Sequence, residues 1–83
     1  MPTYYGVQGY RKGQRGALLE DQPVVVKDEA AALRKAEVLA KSRCGVVAFV
    51  REVDAFDDYS EPRFLAVHGE VPEHIADAAY IPY

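Results

Sequence analysis

Apolar residues recur at three- and four-residue spacing in only one part of this 83-residue chain, residues 28–43. Ala32, Leu33, Ala36, Leu39 and Ala40 fall on one side of a helix, while Arg34, Lys35, Glu37 and Lys41 fall elsewhere. The stretch holds no Gly or Pro and is rich in alanine, the best helix former. Asp28 is placed to cap the first turn, because its carboxylate can accept from amides that have no partner inside the helix. Glu29 adds negative charge at the positive end of the helix dipole, and Lys41 and Arg43 sit at the negative end. Gly45 is expected to close the helix in a left-handed conformation. The apolar stripe is mostly alanine, so the helix should approach a sheet of larger side chains closely. Val38 points away from that stripe.

Elsewhere the pattern is that of strands. Residues 3–10 hold Tyr4, Tyr5, Val7 and Tyr10, all favoured in extended chain. Residues 11–16 form a basic turn with two glycines, a hairpin signal. Residues 17–20 return as a second strand. Asp21-Gln22-Pro23 interrupts it, and Val24-Val25-Val26 continues it to the helix. Pro23 has no N–H to give a ladder, which assigns this strand to an edge. Residues 45–54 are apolar on both faces, as suits a central strand. An acidic loop, 55–61, leads to a last strand at 63–70. A short helical turn follows at 72–77, then a partly aromatic tail at 78–83.

The order is strand, strand, helix, strand, strand. With a right-handed crossover it predicts an α+β domain spanning residues 1–83. Its four-stranded antiparallel sheet has the spatial order 2-1-3-4, with one helix on one face (ββαββ). Alternation assigns Tyr5, Val7, Val47, Phe49, Leu65 and Val67 to the helix side. The opposite face then receives Tyr4, Gln8, Tyr10, Val46, Ala48, Val50, Phe64, Ala66 and His68, too apolar a set to stay wet. Three covers suit it: the tail with Ile75, Tyr80, Ile81 and Tyr83, a second copy of the chain, or a different protein.

Composition adds limits. A hydrophobic fraction of 49% suits a folded chain, and no apolar run approaches a membrane span. The residues at the N-terminus lack signal-peptide character, and the single cysteine points to a reducing, cytoplasmic setting. The net charge of −3 is uneven. Residues 1–51 carry nine Lys/Arg against five Asp/Glu, and residues 52–83 carry one against eight.

Candidate chemistry is sparse. Cys44 with His68 or His74 would make a thiol and base. A cysteine at a helix C-terminus is disfavoured as a thiolate, so a structural role is expected. Asp54, Asp57, Asp58 and Glu61 lack the alternation and central glycine of a calcium loop. Asp57 and Asp58 suit docking on a basic partner instead. The glycines at 6, 9, 13 and 16 precede no helix and form no phosphate loop. Arg11, Lys12 and Arg15, near Tyr4, Tyr5 and Tyr10, offer the alternative of a nucleic-acid grip by phosphate contact and stacking. Val47-Ala48-Phe49-Val50 echoes the central strand of the RNA-recognition fold. It departs from that fold at Val47, where a stacking ring is needed, and in having no second long helix. No catalytic residue, cofactor site or metal site is expected.

The pattern of residues 30–40, then Gly45-Val46-Val47-Ala48-Phe49, then His68-Gly69-Glu70-Val71-Pro72, resembles small uncharacterised proteins of bacteria and prophages. In layout the chain also resembles small anti-CRISPR proteins, which pair two hairpins with one helix. The first likeness carries no activity with it. The second implies a non-enzymatic inhibitor that covers a partner's surface. The expected function is therefore a non-catalytic protein-binding module, an accessory protein or a phage-derived inhibitor, with a second copy of the chain as a further candidate partner. Its contact residues are Tyr4, Tyr10, Phe64, His68, Asp57 and Asp58.

Overall fold

The computed structural model describes residues 3–53, 56, 62–72 and 75. Within them the chain is α+β, with one helix and an antiparallel sheet of five strands. The strands are β1 (Thr3–Lys12), β2 (Leu18–Glu20), β3 (Val24–Val26), β4 (Gly45–Glu52) and β5 (Arg63–Gly69), with α1 (Glu29–Ala40) between β3 and β4. The order is β2-β1-β4-β5, and β3 also pairs with β1. The sheet thus differs from the four-stranded expectation in one respect: the second strand is two strands. Both lie antiparallel to β1, β2 at Tyr10–Lys12 and β3 at Tyr5–Val7. The break falls at Asp21-Gln22-Pro23, where proline cannot donate to the ladder.

The helix begins as its sequence dictates. Asp28 is extended, and its carboxylate accepts from the Ala31 amide at 2.7 Å. The helix ends at Ala40, earlier than expected. Lys41 caps it, and the amides of Ser42 and Arg43 turn back onto the Leu39 carbonyl at 3.0 Å each. Gly45 does not close the helix. Among the described glycines only Gly16 and Gly69 have positive φ, and Gly45 is the first residue of β4. It is glycine for a different reason: a Cβ there would lie 1.7 Å from the Glu70 carbonyl oxygen.

The helix packs on β1, β4 and β5. Val7, Ala32, Ala36, Val46 and Ala48 are fully enclosed, and Tyr5, Val26, Leu39, Ala40, Leu65 and Ala66 pack around them. Alanine on the helix lets the backbones approach, and valines on the sheet fill the space. Val38 is 58% exposed, on the side away from the sheet.

This core corrects the assignment of faces. Val7 lies opposite Ala48 and Tyr5 opposite Val50, so the even residues of β4 face the helix. Val47 and Phe49 face outward, the reverse of the expectation. On β5, Leu65 and Phe64 lie as expected. A bulge beside Ala48/Phe49 then changes the parity. Ala66 and His68 pair with Ala48 and Val46 on the helix side, and Val67 pairs with Val47 on the outer side.

Candidate functional site

The outer face is built from Tyr4, Gly6, Gln8 and Tyr10 of β1, Val47, Phe49 and Arg51 of β4, and Phe64 and Val67 of β5. Phe49 lies across Gly6. A Cβ on Gly6 would sit 2.5 Å from the tip of the ring, so the bare backbone is what lets the ring lie flat. Tyr10, Val47 and Ile75 form a second buried cluster here, with Leu18, Cys44, Phe64 and Val71 against it. The Ile75 amide donates to the Pro72 carbonyl at 3.0 Å, as a helical turn at this place requires. That turn seats Ile75 on the outer face, so the chain beyond β5 covers part of it. The rest of the expected turn and the tail lie outside the described residues.

Beside this cluster is a cleft of about 400 Å³. Tyr10, Val47 and Phe49 line it from the sheet, with Phe64 and Ile75 beside them. Pro23 and Pro62 complete its apolar lining, and Gln8 and Arg51 contribute polar groups. The Gln8 amide nitrogen donates to the carbonyls of Gly9, at 3.1 Å, and Asp21. It therefore holds the approach to Pro23 in place. Burial, and after it the charge of Glu20, pushes the Tyr10 phenol above its usual range.

The candidate contact residues divide. Tyr4 and Phe64 are on the outer face, Tyr4 42% exposed and Phe64 half-buried. Tyr10 is 1% exposed and lines the cleft as part of the buried cluster, so it is no projecting contact. His68 belongs to the helix side and is separated by the sheet from the others. Asp57 and Asp58 lie outside the described residues, as do Asp54, Glu61 and His74. Phe49, Val47 and Pro62 were missed as site residues. The fully apolar run of β4 hid the parity of the first two, and nothing local marks Pro62.

The basic turn is largely neutralised by neighbours. Arg11 donates to the Asp21 carboxylate at 2.7 Å, and Arg43 donates to its other oxygen. Arg43, and more weakly Arg11, hold the Asp21 carboxyl below the ordinary carboxylate range, against partial burial. Lys12 meets Glu70 at 3.0 Å, and this contact raises the lysine pKa. Arg15 is exposed at the tip of a single 3-10 turn, with φ of 61°. Of the three cations proposed to grip phosphate, two are engaged within the chain.

Cys44 is half-buried. Its thiol donates to the Tyr10 carbonyl at 3.2 Å, and its backbone spans from that carbonyl to the Glu70 amide. It packs on the outer side of the sheet while His68 is on the other, so the two are not brought together. Among the described residues no group of three or more His, Cys, Asp or Glu is arranged to hold a metal ion. Among them, too, no helix is long and apolar enough to cross a membrane. Comparison with protein-family models, curated proteins and solved structures finds no match for this chain.

Proposed function

We propose that the protein is a non-catalytic module that binds another protein with the outer face of its sheet. One observation carries this reading: the sheet face opposite α1 holds a cleft of about 400 Å³ lined by Phe49, Phe64, Tyr10, Val47 and two prolines. Aromatic walls with few polar groups suit a buried anchor residue from a partner. Tyr4 and Phe64 are the contact residues at the surface, and Tyr10 serves as a support. Asp57 and Asp58 are proposed to add attraction for a basic partner. Such a module is proposed to be phage-derived, to work by occlusion in the manner of small anti-CRISPR inhibitors, and to act in the cytoplasm with Cys44 reduced.

The nucleic-acid alternative through Arg11, Lys12 and Arg15 is the weaker one. Arg11 pairs with Asp21 and Lys12 with Glu70, and each pairing offsets charge on which phosphate contact would draw.

A photoreactive phenylalanine analogue at position 64, irradiated in cells of the source organism, tests the reading. It should join to one protein, while the same analogue at Val38 does not. Cross-links to nucleic acid, or equal protein adducts from both positions, would overturn it.

A further inference from the structure

Asp21 lies just past the end of β2, and each of its polar groups is held. Its amide donates to the Gly9 carbonyl at 2.9 Å, and its own carbonyl accepts from the Gln8 side-chain amide. One carboxylate oxygen accepts from Arg11 at 2.7 Å and the other from Arg43. These partners lie on opposite sides of the sheet. Val7 faces the helix, so by alternation Gly9 and Arg11 do too, and Gln8 faces outward. A Cβ on Gly9 would meet the Asp21 carboxylate at 3.2 Å and the Arg43 stem at 3.4 Å, which places both on the helix side. Asp21 therefore straddles the margin of the sheet. Its carboxylate is on one face, and its carbonyl is turned to the other.

The outer end of this clamp belongs to the cleft. Gln8 lines the cleft, and so does Pro23, two residues beyond Asp21. Gln22 and Pro23 are exposed, so this wall is fixed from its two ends, by the clamp and by the pairing of Val24 with Val7. We propose that Asp21 is a positioning residue for the cleft, coupling the chain just past the helix, through Arg43, to the Pro23 wall on the opposite face. Both arginine contacts are partly exposed to solvent, so the clamp adds little to global stability. What it sets is where the wall lies. Its effect on binding rests on the reading of the cleft as a partner site.

A nitroxide at Gln22→Cys, in a Cys44→Ser background, tests the coupling. A second label at Ala30→Cys, exposed at the start of the helix, is the control. Arg43→Met keeps the aliphatic stem over Gly9 and removes the donor. It should raise nitroxide mobility at position 22 several-fold, leave position 30 unchanged, and leave the circular dichroism as it was. Arg43→Lys, which keeps a charged donor, should restore the slow motion. The cross-link yield from position 64 should fall with Arg43→Met and recover with Arg43→Lys, although neither side chain lines the cleft. Equal mobility at position 22 in Arg43→Met and the unsubstituted background would overturn the proposal, as would an equal rise at positions 22 and 30. An undiminished cross-link from Arg43→Met would overturn the coupling to binding. A missing wild-type cross-link would overturn the reading of the cleft instead, and the nitroxide alone then decides the clamp.

Discussion

The two faces of this sheet are packed by opposite rules. On the helix side the enclosed residues are small, with Ala32, Ala36 and Ala48 set among Val7 and Val46, all fully buried. Close approach of backbones does the packing there. On the outer side the residues are large: Tyr10, Phe49 and Phe64, with a bare glycine under one ring and a cleft among them. A helix seals a face completely when the side chains are small enough to let it come near. A few large rings cannot tile a twisted surface, so they leave a hollow. The first arrangement stabilises the fold, and the second is where we propose that a partner binds.

The largest effect should come where the faces share a boundary. Gly45→Ala drives a methyl into the Glu70 carbonyl, which is backbone and cannot rotate away. Denaturant unfolding should show a loss above about 3 kcal/mol, beyond the usual cost of overpacking. Next comes volume added to the sealed face. Ala36→Leu has no room in the alanine layer and should cost about 1–3 kcal/mol by the same measurement. The equivalent insult on the outer face should be milder, because the Phe49 ring can yield into the cleft. Gly6→Ala is expected to cost about 1 kcal/mol while narrowing the cleft, read as a lost photo-cross-link at position 64. If Gly6→Ala proves as damaging as Ala36→Leu, the outer face is as tightly packed as the inner one.

The smallest effect is electrostatic. Asp21 has a folded pKa below its ordinary value of 3.8 because Arg43 and Arg11 hold its charge. Its contribution to stability is therefore present above that value and lost as pH falls through the depressed folded pKa. Asp21→Asn should flatten the acid limb of a stability–pH curve in that window and leave the shape of the curve near neutrality unchanged. Both arginine contacts are solvent-accessible, so the change is expected to be small.

Much of the architecture was legible because single residues carried it. Asp28 and a run free of Gly and Pro specified where the helix starts. Pro23 specified that the second strand lies at the margin, though not that it is two separate strands. The orientation of β4 was not legible, since Val46 to Val50 are apolar at every position and alternation gives no parity. It is set instead by pairing with β1, where Phe49 meets Gly6 and Ala48 meets Val7. The bulge at Leu65 leaves no mark in the sequence, and it is what sends His68 to the helix side. The site was less legible than the fold. Its rings come from β1, β4 and β5 and its Ile75 from a turn far along the chain, and only tertiary contact unites them. The neutralisation of Lys12 by Glu70 was hidden for the same reason.

The break in the second strand has a practical meaning. Asp21 is tied down on one side by Gln8, Arg11 and Arg43, and β3 is tied to β1 on the other, while Gln22 between them is exposed. Foreign sequence placed at Gln22 would hang from two anchored ends. Because the neighbouring Pro23 lines the cleft, an affinity tag or fluorophore grafted there would report on that wall while the strands on either side stay paired with β1.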